Sequence, residues 1–572
     1  MNFDYSYQIK SYPFSKSEIS QIQDDEYVRQ NYPIVYIIYD TTKMVAYVGE
    51  STNAINRMAN HLTHVEKKKL KCVSIISSKL FHKSAALDIE SRLIVGMAAD
   101  GKFKLLNGNG GVAEHNYYQK DEYSELFRRL WKELTFDNVK MKDILELENS
   151  DLFKYSPYKS LTEDQYHSII EILKGFSNPN TKSIFVNGSA GTGKTILAIY
   201  LIKILSTINK DGLDGIDIED EMLRQELEII AGNLKNKLKI GFVVPMTSLR
   251  ATLKNVFKSI HGLSGSMVVG PTQVVKDNYD LIVVDEAHRL TRRKSIMGYQ
   301  SFDDVNKKLG LYKSKTEKGK VVCDSEECGN QLDWMVMSSR KQLMFYDSEQ
   351  SIKPADVRKK DFDKIKKEKS SIELTLVSQM RTQGGNGYID FVHNLLNTSL
   401  GPDESYRSPQ YDLRLFDEMP DMVTELRSME KKYGLCRLTS GISSKWVSKD
   451  SNIHDTEIDG VKLTWNKTAS DWINSTTDMT EMGCIHTVQG YDLNYVGVIF
   501  GEEIDYDEAS NQIVIDRAKY HDAKGAQAVK SDDELLEYII KIYKTLMYRG
   551  IRGAFVYAQN ESLRNYFKKY IS

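Results

Sequence analysis

Two short stretches of this chain carry residue types at spacings that can handle a phosphorylated nucleotide. The first, Gly188-Ser189-Ala190-Gly191-Thr192-Gly193-Lys194-Thr195, follows an apolar run at residues 183–186 and precedes an apolar, helix-patterned segment. Glycines let such a loop wrap with its N–H groups facing phosphate, the lysine reaches the β- and γ-phosphates, and the threonine hydroxyl can ligate Mg²⁺. The second, Asp285-Glu286-Ala287-His288, ends the apolar run 281–284. Asp285 supplies a carboxylate to the Mg²⁺ shell, and Glu286 one that can orient an attacking water. Together they define an NTPase, with ATP and Mg²⁺ as expected cofactors; Gly188, Gly191, Gly193, Lys194, Thr195 and Asp285 form the nucleotide site.

A second set of chemically capable residues lies near the N-terminus: Tyr36, Tyr47, Gly49, Arg57, His61, Glu90 and Asn107. Taken singly, each has an ordinary explanation. Tyrosines on apolar strands are usually packed rings with polar tips, His61 could be a surface helix residue, and Glu90 in an amphipathic segment is either a rim residue or a buried metal ligand. The span 57–104 holds ten Lys/Arg against four Asp/Glu, a surplus suited to phosphate attraction, although the lysine-rich turn at 66–71 could equally be solvated surface.

These residues need elements to hold them. Residues 34–39 and 44–48 read as two strands around a polar turn, followed by helical patterns at 54–61 and 84–97, a small α/β unit. The glycine-rich segment 107–111 breaks it. A helix pattern at 121–134 runs into a polar connector at 148–159. From residue 160 onward, apolar runs at 183–186, 240–244, 281–284, 342–346, 372–377, 496–500 and 554–557 alternate with helical segments, which is the pattern of parallel α/β sheets. The acidic insertion 211–221 and the charge run 353–369, with eight basic and four acidic residues, read as solvated surface or linker.

Composition bounds the rest. The 572 residues carry 77 Lys+Arg against 79 Asp+Glu, a net charge of −2, so nucleic-acid contact has to use local patches. No run approaches 18 apolar residues and the polar first residues lack a signal-peptide pattern, so a soluble cytoplasmic protein without membrane contact is expected. Five cysteines are too few for a disulfide scaffold. Cys323 and Cys328 have no second Cys/His pair nearby to complete a zinc site, and a loop is expected there.

The C-terminal part resembles superfamily 1 helicases, and in the forms of its motifs the Schlafen-type helicase-like branch. Leu161-Thr162-Glu163-Asp164-Gln165 is similar to the adenine-reading Q motif, with Gln165 the reader. Val244-Pro245-Met246-Thr247 resembles motif Ia, which implies nucleic-acid contacts by Pro245 and Thr247. Phe345 to Ser351 resembles motif III, with Gln350 sensing the γ-phosphate. Ser378-Gln379-Met380-Arg381 resembles motif IV, with Arg381 an arginine finger. His486-Thr487-Val488-Gln489-Gly490-Tyr491-Asp492 resembles motif V, implying nucleic-acid contacts by Thr487 and Gln489 and a nucleotide contact by Gly490. Tyr548-Arg549-Gly550-Ile551-Arg552-Gly553 resembles motif VI, but Tyr548 stands where Thr is usual, which leaves Arg549 and Arg552 as rival fingers.

The N-terminal segment 34–107 resembles GIY-YIG endonucleases through Ile34-Val35-Tyr36, Tyr47-Val48-Gly49, Arg57, His61, Glu90 and Asn107, with Ile34 in place of the first glycine. That resemblance implies one Mg²⁺ or Mn²⁺ ion on Glu90, Tyr36 as the group that positions or deprotonates water, Arg57 offsetting phosphorane charge, and Tyr47 and His61 supporting phosphate and water. It also implies that Gly49 leaves room for close nucleic-acid backbone approach, and that Asn107, or its rival Asn109, is a support.

The expected layout is a nuclease domain at 1–118, a helical connector at 119–159, a RecA-like lobe with the P-loop at 160–370 and a second RecA-like lobe at 371–572. The expected function is an ATP-dependent nucleic-acid motor or sensor coupled to an endonuclease, DNA favoured over RNA, with defence against foreign DNA such as phage as one role. An ATP-gated nucleic-acid-binding switch without catalysis at the N-terminus is the alternative. Protein remodelling is disfavoured by motifs III to VI. Oligomeric state and the sense of ATP control stay open.

Overall fold

The computed structural model describes residues 4–107, 117–159, 161–213, 220–233, 237–296, 298–317, 320–351, 353–448, 453–468, 472–475, 477–488, 490–522, 529 and 531–571. Gln489 and Asn109, both singled out above, lie outside these residues, as does most of the acidic insertion. The chain divides into two compact units: Met1–Ser177 with Thr195–Leu238 and Leu253–Met267, and Asn178–Lys194 with Lys239–Thr252 and Val268–Ser572. Among the described residues no helix is long and apolar enough to cross a membrane.

The first unit is organised by a sheet of β1 (Gln8–Pro13), β2 (Ile34–Asp40), β3 (Val45–Ser51), β4 (Cys72–Ser77) and β5 (Lys104–Leu105), in the order β1-β4-β2-β3-β5. The pairs are antiparallel except for β3 with β5. Central β2, Ile-Val-Tyr-Ile-Ile-Tyr-Asp, is buried throughout, because both faces of the sheet are covered and side chains alternate between them. Ile34, Tyr36 and Ile38 pack with Ala54 and Met58 of helix α1 (Ala54–Thr63). Val35, Ile37 and Tyr39 pack with Ala86, Ile89 and Leu93 of helix α2 (Lys83–Asp100). Asn53 caps α1 by accepting from the Asn56 N–H, and α2 stops at Gly101 with φ +70°, where glycine takes the left-handed C-cap conformation without strain. In the stretch expected to connect the domains, Tyr158 is 2% exposed and joins the core that includes α2.

The second unit holds two largely parallel sheets. One contains β6 (Ser183–Gly188), β7 (Ile240–Val243), β8 (Val268–Val269), β9 (Tyr279–Val284), β10 (Ser339–Tyr346) and β11 (Ser371–Leu376), in the order β8-β7-β9-β10-β6-β11, all parallel. The other contains β12 (Asp412–Leu415), β13 (Cys436–Ser440), β14 (Thr456–Ile458), β15 (Val461–Trp465), β16 (Glu481–Cys484), β17 (Leu493–Phe500) and β18 (Gly550–Ala558), in the order β12-β18-β17-β13-β16-β15-β14. Only the β14–β15 edge hairpin is antiparallel. The apolar runs read from the sequence fall on β6, β7, β9, β10, β11, β17 and β18. Helices stand in most of the crossovers that connect parallel strands; after β17 the chain first makes a two-stranded hairpin, Ile504–Asp507 with Gln512–Ile515, before the next helix.

Two sequence expectations change here. Residues 371–376 do not open the second lobe; β11 pairs with β6 from Ser371 opposite Ser183 to Leu376 opposite Gly188, completing the first sheet. The charge run 353–369 exposes most of its lysines, as solvated surface does, but it is not a linker. It contains a helix, Lys359–Lys366, that buries Phe362. From that helix Lys366 donates to Asn187 Oδ1 at 2.8 Å and to Glu373 Oε1 at 3.0 Å. Two apolar residues in eight, Phe362 buried and Ile365 packed against the same core, sufficed to seat the helix, which is why the charge pattern concealed it. Cys323 ends a strand, Lys320–Cys323, and both Cys323 and Cys328 are buried free thiols.

Candidate functional site

The glycine-rich loop leaves β6 at Gly188. A Cβ at Gly188 would meet Thr192 Oγ1 at 2.6 Å, and Gly191 and Gly193 have φ of +86° and +77°, so the loop's tight path excludes side chains at the positions where the motif places glycine. Lys194 is buried and donates to Gly188 O at 2.6 Å and Ser189 O at 2.9 Å, with Asp347 Oδ2 3.8 Å away. Thr195 follows in the first turn of the helix Lys194–Asp211.

Asp285, fully buried, stands just past the end of β9, and Glu286 has φ +49°, a left-handed conformation that costs about 1–3 kcal/mol outside glycine and recurs at functional sites. His288 Nε2 is 3.0 Å from Glu286 Oε2. Burial alone would raise the Glu286 carboxyl, but His288, Lys194 and Arg549 outweigh it and hold the group well below the usual carboxylate range. Glu286 is therefore an anion at neutral pH, as a water-orienting group has to be. The Asp285 carboxylate is a hard oxygen donor of the kind Mg²⁺ takes, so its chemistry fits the ion.

Motifs III and VI meet on this site. Gln350 Nε2 donates to Asp347 Oδ2 at 2.7 Å, while Gln350 Oε1 accepts from Arg549 Nη2 at 3.3 Å. Arg549 is 1% exposed and also donates to Tyr491 O at 3.4 Å. Arg552 turns elsewhere, its guanidinium 4.7 Å from the Tyr433 ring centroid. Arg381 is engaged in an ion pair with Asp492. Its neighbours latch the P-loop: Gln379 Nε2 donates to Ala190 O at 2.7 Å and the Met380 N–H to Gly191 O at 2.9 Å.

The other motif residues are placed as follows. Gln165 is buried and its Oε1 accepts from the Thr162 N–H at 3.1 Å, closing its own loop. Pro245 is half-buried, and exposed Thr247 opens the helix Thr247–Ser259 and accepts from Arg250 Nη2 at 3.1 Å. Thr487 is buried in the single turn Ile485–Val488, and Gly490 has φ +95°.

In the N-terminal sheet, Tyr36, Arg57 and His61 converge. Tyr36 Oη lies 2.8 Å from His61 Nε2 and accepts from Arg57 Nε at 3.4 Å. Arg57 and His61, four residues apart, share one face of α1. Tyr47 packs edge-on to the His61 ring, centroids 4.9 Å apart. Gly49 pairs with Tyr36 in register, and a Cβ there would sit 2.3 Å from Tyr36 Oη. The room this glycine leaves is filled by the Tyr36 phenol. Asn107 supports β3, accepting from the Val48 N–H at 3.1 Å and donating to Val48 O at 2.9 Å. Glu90 is half-buried in the middle of α2, the helix on the sheet face opposite α1.

Two residues escaped the sequence reading. Lys67 is buried, with Nζ 3.6 Å from the Tyr47 ring centroid; within Lys67-Lys68-Lys69 nothing marks which lysine turns inward. Asp347 touches both Lys194 and Gln350, and its place just past the end of β10, parallel to β6, was the available signal.

A buried lysine on a glycine loop, a strand-end acid pair and a glutamine–arginine contact from two parallel sheets define a helicase-type NTPase domain. The chain belongs to the Schlafen group 3, DNA/RNA helicase domain family, which it matches over residues 181–560. It is 23% identical over 398 residues to an uncharacterized protein of Saccharomyces cerevisiae, covering 66% of this chain and 82% of that one. It is 26% identical over 168 residues to nucleoside triphosphatase I of Choristoneura biennis entomopoxvirus, covering 28% of this chain and 24% of the viral protein. Among solved structures it is similar to a Pif1 helicase from Bacteroides in complex with ADP-AlF3 and ssDNA, with 12% identity, a TM-score of 0.26 and coverage of 69% of this chain and 92% of that one. The family match begins after the N-terminal sheet, so the tyrosine cluster stands on its own geometry.

Proposed function

We propose that the protein is an ATP-dependent nucleic-acid motor or sensor coupled to a metal-dependent endonuclease of the GIY-YIG kind, with DNA the favoured substrate and defence against foreign DNA a role that suits the pairing. The observation that carries the nuclease half is the convergence of Tyr36, His61 and Arg57. Arg57 donates to Tyr36 Oη, and with His61 Nε2 unprotonated the phenol proton can pass to that nitrogen as Oη takes one from water, so the water's proton ends on His61 by way of Tyr36. A positioned base of this kind contributes about 10²–10⁴ in rate. Arg57, already beside that oxygen, offsets charge developing on the phosphate. The resemblance assigns Mg²⁺ or Mn²⁺, which when bound would polarise the scissile phosphate, to Glu90; Glu90 stands on the helix that covers the sheet face opposite α1, so its part in the site rests on the resemblance and is what Glu90→Ala tests.

In the motor half, Glu286 orients water, Lys194 and Arg549 face the transferring phosphoryl group, and Gln350 links Arg549 to Asp347. A finger at Arg549 supplies about 10³–10⁵ in rate. Arg381, held by Asp492, is the second cation and needs that pair to open before it can act.

The test is cleavage of duplex DNA, single-stranded DNA and RNA with Mg²⁺ or Mn²⁺, with and without ATP, for wild type, Glu90→Ala and Lys194→Ala. Cleavage abolished in Glu90→Ala and altered in its ATP dependence in Lys194→Ala supports the coupled reading. No cleavage by wild type, with ATP hydrolysis still stimulated by nucleic acid, replaces it with an ATP-gated binding switch.

A further inference from the structure

On the second sheet, away from the glycine loop, a pocket of about 610 Å³ opens where β12, β17 and β18 begin, bounded by residues 406–414 and by Gln383, Tyr433, Tyr495 and Arg552. Its floor depends on Gly553. Asp412 and Tyr495 both pair with that glycine, and a Cβ there would meet Tyr495 Cε1 at 2.5 Å and Asp412 O at 2.4 Å. Glycine therefore lets the Tyr495 ring lie flat across β18. Tyr433 stacks on Tyr495 with centroids 5.8 Å apart and planes 25° apart, and Arg552 covers Tyr433.

The charges are unevenly committed. Arg414 is tied twice to Asp412, at 2.7 Å each, and to Glu425 at 3.1 Å. Among the described residues Arg552 and Arg407 make no ion pair, and Arg552 Nε is buried without a hydrogen-bond partner. A guanidinium on an aromatic ring, as Arg552 is on Tyr433, with no carboxylate of its own and a second unpaired arginine, Arg407, lining the same pocket, is suited to a planar base and a phosphate together. Two uncommitted arginines and no glycine loop match a single phosphodiester better than a triphosphate.

We propose that this pocket binds one nucleotide unit of a single-stranded nucleic acid, its base against the Arg552–Tyr433 stack and its phosphate on Arg407 and Arg552. The site rests on the nucleic-acid reading above but is separate from the nucleotide and nuclease sites. It also has a physical route to the P-loop. The Gln383 N–H bonds Ile551 O at 2.8 Å, next to Arg552, and Gln379, four residues earlier, bonds Ala190.

The experiment is fluorescence anisotropy of labelled dT12 and U12 on the full chain at several salt concentrations, for wild type, Arg552→Ala, Arg552→Lys and Arg407→Ala, with melting temperatures and ATP hydrolysis measured on each preparation. Removing Arg552 is expected to weaken binding by about 5- to 100-fold, as removal of a stacking partner for a base does, and removing Arg407 to weaken it through the lost phosphate contact. The slope of log affinity against log salt should become shallower by about 0.7 for each phosphate no longer neutralised. Arg552→Lys should recover the salt slope but not the full affinity, because an ammonium does not stack as a guanidinium does. Folded Arg552→Ala and Arg407→Ala proteins that bind with wild-type affinity and slope would overturn the pocket while leaving the motor reading intact. Wild type that hydrolyses ATP but binds neither oligonucleotide would remove both. Displacement of the probe by thymidine or uridine monophosphate as effectively as by unlabelled oligonucleotide would overturn the strand assignment in favour of a free nucleotide.

Discussion

Gly49→Ala tests the geometry on which the N-terminal reading depends. The new methyl would sit 2.3 Å from Tyr36 Oη, 2.4 Å from Cζ and 2.9 Å from Cε2, against a comfortable separation of about 3.5–4.0 Å, so the ring or strand has to retreat by about 1 Å. Tyr36 is fully buried between α1 and the sheet and its hydroxyl is held at 2.8 Å from His61, which leaves little slack. Overpacking costs about 1–3 kcal/mol, and breaking the buried Tyr36–His61 bond about 1–3 kcal/mol more. Restricting the unfolded chain returns about 0.4–1 kcal/mol. The net destabilisation is about 1–5 kcal/mol, or several degrees in melting temperature for a unit of this size. Circular-dichroism melting and urea unfolding read the stability, and cleavage assays on folded protein read the site. Because a 1 Å displacement can cost about 10² in rate, cleavage should fall further than stability does. A Gly49→Ala protein with unchanged melting and unchanged cleavage would refute the packing argument, and with it the placement of Tyr36.

Other substitutions probe separate parts of the reasoning. Gly387→Ala, in the helix Gly385–Leu396 where an added Cβ meets nothing within 4 Å, is expected to stabilise by about 0.5–1 kcal/mol in the same melting assay; a destabilised variant would show that the two glycines differ for another reason. Arg549→Ala should lower kcat for ATP hydrolysis by about 10³ or more, and steady-state rates within tenfold of wild type would reassign the finger. Glu503 is buried, which pushes its carboxyl up to about 7 despite the hydrogen bond from the Tyr543 hydroxyl. Its contribution to stability is complete below about pH 4.5 and is lost as pH rises through 7, by at most about 3 kcal/mol. Glu503→Gln should therefore match wild type near pH 4.5 and exceed it at pH 8 in urea unfolding, and parallel pH profiles would contradict the assignment.

The glycine loop and its acid partners were legible because each is a contiguous run whose backbone requirements are written in its own residues. Only glycine accepts the φ of +86° and +77° at Gly191 and Gly193, and a buried parallel strand has to be an apolar run. Tyr36 and Tyr47 were legible together through the resemblance that orders them with Gly49, Arg57 and His61, and it is the β2–β3 register that puts them on one face. Charge patterns were less reliable. The helix Lys359–Lys366 is seated by Phe362 and Ile365 among six charged residues, and within Lys67-Lys68-Lys69 it is Lys67 that turns inward over the Tyr47 ring.

What the sequence by itself determined was therefore the chemistry available: a phosphate loop, a strand-end carboxylate pair, an ordered series of helicase motifs and a tyrosine, arginine and histidine set. The tertiary structure decided which of these groups meet. Arg549 and Arg552 are three residues apart, yet one is buried against Gln350, 199 residues away, and the other lies on Tyr433. Their chain turns from a helix end at Met547 into β18 at Gly550, so successive arginines leave on different sides. Strand β11 joins the first sheet because β6 offers it an edge, a pairing over nearly two hundred residues that no local pattern encodes. Pairings of that range depend on strand order and on which edge or face is left to cover.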